Sequence, residues 1–445
     1  MENCILFLGF NSLDHAVLVD EVAASGLVPI LTGGDLRTQR AAEGKPFLAY
    51  ETFVPADVQQ QVERAMTRFS GDISAAVDHP AGRQPFSTTA GNLLAQNGGA
   101  LFGRVFEVLQ SQVVLIETLK NIMARCRLKM VVLRANISGA QRAVQTYAAL
   151  QGVPVLELSH GHRARRLDRS DIDQEVRCAY AAYGERDRSL LLELGQPEAQ
   201  IHVVGAPGWD PLYRPEVKMS APAAREKIGL DPDRPMVLYA SVYPEGNSAL
   251  FPYLSRLIHD KHRAVIGAMR TLGPEVQFVV RPHPGEFRRE PAKPPTGEAV
   301  AAYRRWLQDQ GVSPVHIDGV SPETTLDKAD LLNAADAVIV ANPGSSLVTE
   351  VMIMRRPAVL LRRKEAPPYA FYTEEDGVVL VEEAEGLAAE LKGLLEDAGR
   401  REEVVQRQWA ALPRLNHRND GRASERAARL ICAMAAGEVP QGIAA

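Results

Sequence analysis

Short apolar runs of strand length alternate with amphipathic stretches along most of the chain. Ile5 to Phe10 is apolar, Leu13 to Ser25 carries apolar residues at helical spacing, and Leu27 to Leu31 is a second apolar run that closes on Thr32-Gly33-Gly34-Asp35. This predicts a strand-helix-strand opening. The pattern returns at Met130 to Leu133, Val153 to Leu158, Cys178 to Tyr183 and Ile201 to Val204, with helices predicted near 137–151 and 185–195. It resumes at Met236 to Ala240, Val276 to Val280, Val315 to Ile317, Ala337 to Ala341, Ala358 to Leu361 and Gly377 to Val381, with helices over 255–272, 297–310, 345–354 and 385–397. Strands alternating with helices of this length predict α/β architecture, with parallel sheets covered on both faces.

The two series are separated by a stretch without periodicity in which Pro207, Pro211, Pro215, Pro222, Pro232 and Pro235 recur. Such a stretch reads as a connection between two units. The expected division is an N-terminal lobe over 1–210, a linker over 211–234, a C-terminal lobe over 235–418 and a last helix over 419–436. Residues 86–127 show helical spacing and no strand signal, which predicts a helical insertion in the first lobe. A length of 445 residues also favours two large units, at roughly 150 residues per domain as a loose prior.

Composition narrows the function classes. A hydrophobic share of 46% with 24% charged residues is that of a globular protein, and no apolar run reaches the roughly 18 residues of a membrane span. No secretory leader is recognisable at Met1 to Leu8, so a cytoplasmic location is expected, with the inner face of the membrane as the alternative. A net charge of −5 argues against a general nucleic-acid binder. Cys4, Cys126, Cys178 and Cys432 lack the spacing of a zinc site or a disulfide framework. The first strand-helix turn, Gly9 to Asp14, lacks GxGxxG, and no GxxxxGK[ST] occurs, so neither a dinucleotide fingerprint nor a P-loop is present. Asp171-Ile172-Asp173 follows no strand and reads as a solvated loop, so no metal is expected.

Candidate chemistry lies at three strand ends. Arg281-Pro282-His283-Pro284 follows the run 276–280, and Gly344-Ser345-Ser346 follows the run 337–341 and opens a helix containing Glu350. In a parallel sheet, ligands gather outside the carboxyl ends of the strands, so two adjacent ends with Arg, His and hydroxyls would face one anionic ligand. Prolines on both sides would restrain His283, and Arg281 would supply a permanent fork of donors. The alternatives are a proline-rich turn and a plain serine cap. Glu350 would reach a sugar hydroxyl or be exposed. In the first lobe, Ser159-His160-Gly161-His162-Arg163-Ala164-Arg165-Arg166 follows the run 153–158. His160 could act as a general base, and the arginines could hold an acidic group or lie in a solvated basic loop.

The order of these segments, with Tyr183-Gly184-Glu185, Val204 to Asp210, Arg356-Pro357-Ala358-Val359 and Asn419-Asp420-Gly421-Arg422, resembles the GT-B glycosyltransferase superfamily. Within it the chain is most similar to the bacterial surface-polysaccharide branch of capsule Kdo-type transferases, polysialyltransferases and CDP-glycerol glycerophosphotransferases. The resemblance spans roughly 155–430. It implies two Rossmann-like lobes around a cleft, an acceptor in the first and a nucleotide-sugar donor, CMP-, CDP- or UDP-linked, in the second. The implied catalytic set is His160, His283 and Glu350. Nucleotide or phosphate binding falls to Arg281, Pro284, Gly344, Ser345, Ser346, Gly205 and Ser241, and acceptor or acidic-group binding to Arg163, Arg165, Asp14 and His15. No cofactor is implied. The partners would be the donor and a glycan, lipid-linked or protein acceptor, without nucleic acid and with possible peripheral membrane association. The last helix would cross back onto the first lobe. UDP-N-acetylglucosamine 2-epimerases share the fold, but usually carry an acidic residue before the Gly pair and Gly-Glu after the first-lobe histidine. This chain has Asn342-Pro343 and His162-Arg163 there. A non-catalytic nucleotide-binding relative is the third alternative.

Overall fold

The computed structural model describes residues 1–78, 88–134, 139–159, 161–162, 178–214, 218–241, 252–282, 297–312, 315–317, 325–341, 344–361, 372–381 and 384–438. Among these residues two parallel sheets stand out. The first contains β1 (Asn3–Leu8), β2 (Val28–Leu31), β3 (Leu48–Ala49), β4 (Arg127–Arg134), β5 (Val155–Leu158), β6 (Ala179–Ala182) and β7 (Ile201–Val203), in the order β3-β2-β1-β4-β5-β6-β7. The second contains β8 (Met236–Ala240), β9 (Gln277–Arg281), β10 (Val315–Ile317), β11 (Ala337–Val340), β12 (Ala358–Leu361) and β13 (Val379–Val381), in the order β10-β9-β8-β11-β12-β13. This is the expected GT-B arrangement of two parallel-sheet α/β units.

The central strands form where the chain is apolar at nearly every position, Glu157 in β5 being the charged exception. All residues of β5, β6, β8, β11 and β12 are buried, as helices on both faces of a sheet require. The two-residue edge strand β3 lies within the short run Phe47 to Tyr50, which sequence reading did not single out. Residues 86–127 contain the helix Thr88–Arg125, which lies beside the helices Val58–Asp78 and Gly139–Leu150. The helix Ala398–Leu415 was not expected. Its charged first half and Pro413 hide a spaced apolar face of Val404, Val405, Leu412 and Leu415, all buried.

One expectation about the second sheet is corrected. The ends of β9 and β11 are not adjacent, because β8 lies between them, with Ala240 in register with both Arg281 and Val340. Each sheet reverses its order once, at β1/β4 and at β8/β11, and such switch points are where open α/β sheets place their ligands.

The C-terminal helix Ala423–Ala436 buries Ala427, Ala428, Leu430 and Ile431 in one core with Ile5, Phe7, Leu18 and Val22. The proline-rich stretch is also packed, with Trp209, Leu212, Ala224 and Ile228 sharing a core with Val338, Val351 and Leu360.

Candidate active site

At the carboxyl edge of the second sheet, Ser241 donates its backbone N–H to the Arg281 carbonyl at 3.1 Å, and Lys261 donates to the Ala341 carbonyl. Arg281, Ser241 and the start of the helix Leu347–Ile353 therefore border one edge. The two serines are not equivalent. Ser345 Oγ accepts from the Leu347 N–H at 3.3 Å and its carbonyl accepts from the Val348 N–H at 3.2 Å, so Ser345 caps the helix. Ser346 makes no side-chain cap and turns toward the other lobe. A Cβ on Gly161 would sit 3.2 Å from Ser346 Oγ, so the loop after β5 approaches the second lobe closely at this glycine.

Glu350 is buried, which removes the exposed alternative. Its Oε1 accepts from Trp209 Nε1 at 3.1 Å and its Oε2 lies 3.0 Å from Lys328 Nζ. Lys328 opens the helix Lys328–Ala334, whose start is set by Asp327 accepting from the Ala329 N–H at 2.8 Å. Its ammonium also lies 3.9 Å from Asp14 Oδ2, in the turn that follows β1. Burial disfavours that ammonium and nearby Arg281 repels it, yet Glu350 and Asp14 outweigh both and hold its pKa above the ordinary lysine value. Asp14, Lys328 and Glu350 thus form an ionic junction between the β1 switch point and the second lobe.

A second junction is free of water-exposed charge. His162 Nδ1 lies 3.1 Å from Asp187 Oδ2, and Nε2 lies 2.9 Å from Thr349 Oγ1, which is 2.8 Å from the Tyr372 hydroxyl. A carboxylate only accepts, so Nδ1 carries a proton, and in the neutral ring Nε2 accepts from Thr349 while Thr349 accepts from Tyr372. Burial pushes the Tyr372 phenol well above its ordinary pKa, which keeps that donor protonated. Tyr183, Trp209 and Tyr372 surround the imidazole edge to face, with ring centroids 5.7, 5.3 and 5.9 Å away. Next to it, Gly184 allows no side chain, because a Cβ would fall 2.4 Å from the Arg414 carbonyl oxygen.

Two further candidates sit in packed surroundings. Gly205, with φ +88°, is enclosed by Ala423, Arg426 and Asn416 of the closing segment, which leave no room for a side chain. His15 has its ring buried against Phe10 at 5.1 Å and beside Gly208. Gly344 lies directly before the serine pair. His160, Arg163, Arg165, Asp171, Asp173, His283 and Pro284 lie outside the described residues. Lys328, Asp187, Thr349 and Tyr372 belong to no motif that sequence reading singled out, and Trp209 was read only as part of the segment Val204 to Asp210, without a role of its own. For His162 the signal was present but ambiguous, since a histidine among arginines looks solvated until Asp187 and Thr349 are brought to it. Among the described residues, no group of three or more His, Cys, Asp or Glu is placed to hold a metal ion. No helix among them is long and apolar enough to cross a membrane.

No family model matches the chain, and no curated protein matches it either. Solved structures do. A putative UDP-N-acetylglucosamine 2-epimerase from Listeria monocytogenes is similar over 100% of both chains, with 15% identity and a TM-score of 0.57. A glycosyltransferase from Rickettsia africae is similar over 97% of this chain and 99% of its own, with 12% identity and a TM-score of 0.54. Anabaena HepE, solved in complex with UDP, is similar over 98% of this chain and 100% of its own, with 11% identity and a TM-score of 0.54. At such identities the likeness establishes the fold.

Proposed function

We propose that this protein is a glycosyltransferase that takes its sugar from a UDP-linked donor and builds or modifies a bacterial surface glycan or glycoconjugate. The observation that carries the reading is the meeting of the two sheets' carboxyl ends, with Gly161 against Ser346 and Lys328 between Asp14 and Glu350. A donor on the second lobe then presents its sugar to groups of the first, where an acceptor hydroxyl can attack. UDP is the nucleotide tested first because solved structures of the same fold hold it.

In this reading the second lobe binds the leaving nucleotide. Arg281 and the amides at the Ser345-Ser346 turn neutralise the negative charge that builds on the diphosphate as the bond to the anomeric carbon breaks. His283 is assigned to the same phosphates. His160 takes the proton of the acceptor hydroxyl as its oxygen attacks that carbon. Excluding water from the reacting centre falls to the aromatic box around His162, which seals the inner end of the junction. The charge balance needs no metal or redox cofactor.

The test incubates the purified protein with UDP-, CDP- and CMP-linked sugars, without and with glycan acceptors. Acceptor-dependent nucleotide release is the expected result, and isomerisation of the sugar without acceptor would replace the transferase with an epimerase. His283→Ala weakens nucleotide binding, while His160→Ala lowers turnover with binding retained. Tight binding by the first variant would make that histidine structural.

A further inference from the structure

Resting on this donor reading, we infer that Asp14 and Lys328, together with Glu350, form the subsite that reads the hydroxyls of the donor sugar, and that this sugar is uncharged. Lys328 stands at the carboxyl edge because its helix leads from β10 back to β11, so the helix begins where the donor-facing loops are. Its ammonium has three donor hydrogens. Glu350 Oε2 pairs ionically with it at 3.0 Å, while Asp14 at 3.9 Å is too far for a hydrogen bond. Lys328 donors and Asp14 lone pairs are thus available to a hydroxylic group between the lobes. Both side chains can be reached, being 28% and 39% exposed, whereas Glu350 is 10% exposed and fixed by Trp209.

The charge of the set decides which sugar fits. Two carboxylates face one ammonium, a local excess of one negative charge once Arg281 is assigned to the phosphates. Neighbouring hydroxyls both donate and accept, so they satisfy Asp14 and Lys328 at once without net charge. A sugar carboxylate would meet two like charges and a cation already committed to them, which disfavours acidic sugars. Specificity of this kind works by exclusion as much as by attraction.

The experiment titrates UDP, UDP-glucose, UDP-N-acetylglucosamine and UDP-glucuronate by calorimetry into the wild type, Asp14→Asn and Lys328→Gln, with melting curves confirming that each variant is folded. In the wild type, at least one neutral donor binds about tenfold tighter than UDP, the worth of one charge-assisted hydrogen bond, and UDP-glucuronate no tighter than UDP. Each substitution brings the neutral donor down to the affinity of UDP and leaves UDP within about twofold, because no phosphate contact is lost. Lys328→Arg, which keeps the charge, restores part of the gain. Equal loss of UDP and UDP-sugar in Lys328→Gln would make the lysine a phosphate cation and overturn the inference while sparing the transferase reading. Preference for UDP-glucuronate would also overturn it alone. Failure of the wild type to bind any of the four would overturn the donor reading and the inference together.

Discussion

The two junctions between the lobes are built on opposite principles. At His162 every polar atom of the chain Asp187, His162, Thr349 and Tyr372 has a partner, and aromatic rings exclude water. At Lys328 the contacts are ionic, one of them is long, and the Asp14 and Lys328 side chains are partly exposed. Buried, satisfied networks stabilise and specify one arrangement, whereas exposed ion pairs contribute little and leave donors and acceptors for an incoming group. The difference assigns the fixing of the lobes to the first junction and recognition to the second.

Breaking the dry junction has the largest expected effect. His162→Ala strands the Asp187 carboxylate in the interior and costs about 3 kcal/mol in chemical unfolding. A loss no larger than that of a surface substitution would mean that the junction opens readily. Gly184→Ala forces the chain after β6 away from Arg414 and Leu415 and costs about 2 kcal/mol, read as a fall in melting temperature. Thr349→Val keeps the volume but removes the hydroxyl that links His162 to Tyr372, for about 1 kcal/mol. Asp14→Asn, at the open junction, changes stability by less than about 0.5 kcal/mol, as screened pairs do. A larger loss there would erase the contrast.

The smallest effect is a slope in pH. Burial lowers the His202 imidazole below its ordinary value, and burial with Arg426 and Arg418 does the same to His417. The unfolded chain therefore takes up these protons first, so stability is complete above about pH 6.5 and declines as pH falls below it. His202→Gln flattens the decline in melting temperature between neutral and mildly acid buffer, and an unchanged slope would move its origin to another group.

What was legible in the sequence follows from how local each signal is. Strands β8, β11 and β12 are unbroken apolar runs because both faces are covered, and that fact is written in consecutive residues. Sheet order is not written there, which is why β8 stands unannounced between β9 and β11. At the site, Arg281, Ser345 and Ser346 follow their strands directly, and Glu350 lies four residues on from Ser346. Lys328 and Asp187 carry no local mark. Each acquires its partner only through tertiary packing, 22 residues from Glu350 in one case and 25 from His162 in the other. Gly205 and His15 carry a second lesson, since their packed surroundings are also set by residues distant in sequence.

Asp210 accepts from the backbone N–H groups of Ala423 at 3.0 Å and Ser424 at 2.7 Å, capping the closing helix across more than two hundred residues of chain. The first lobe therefore has its sheet early but its finished core last. A ribosome must deliver the entire second lobe before Ala427, Leu430 and Ile431 can cover Ile5 and Phe7. Until then the nascent lobe holds an uncovered apolar face, so the two lobes mature as a pair rather than in the order of their synthesis.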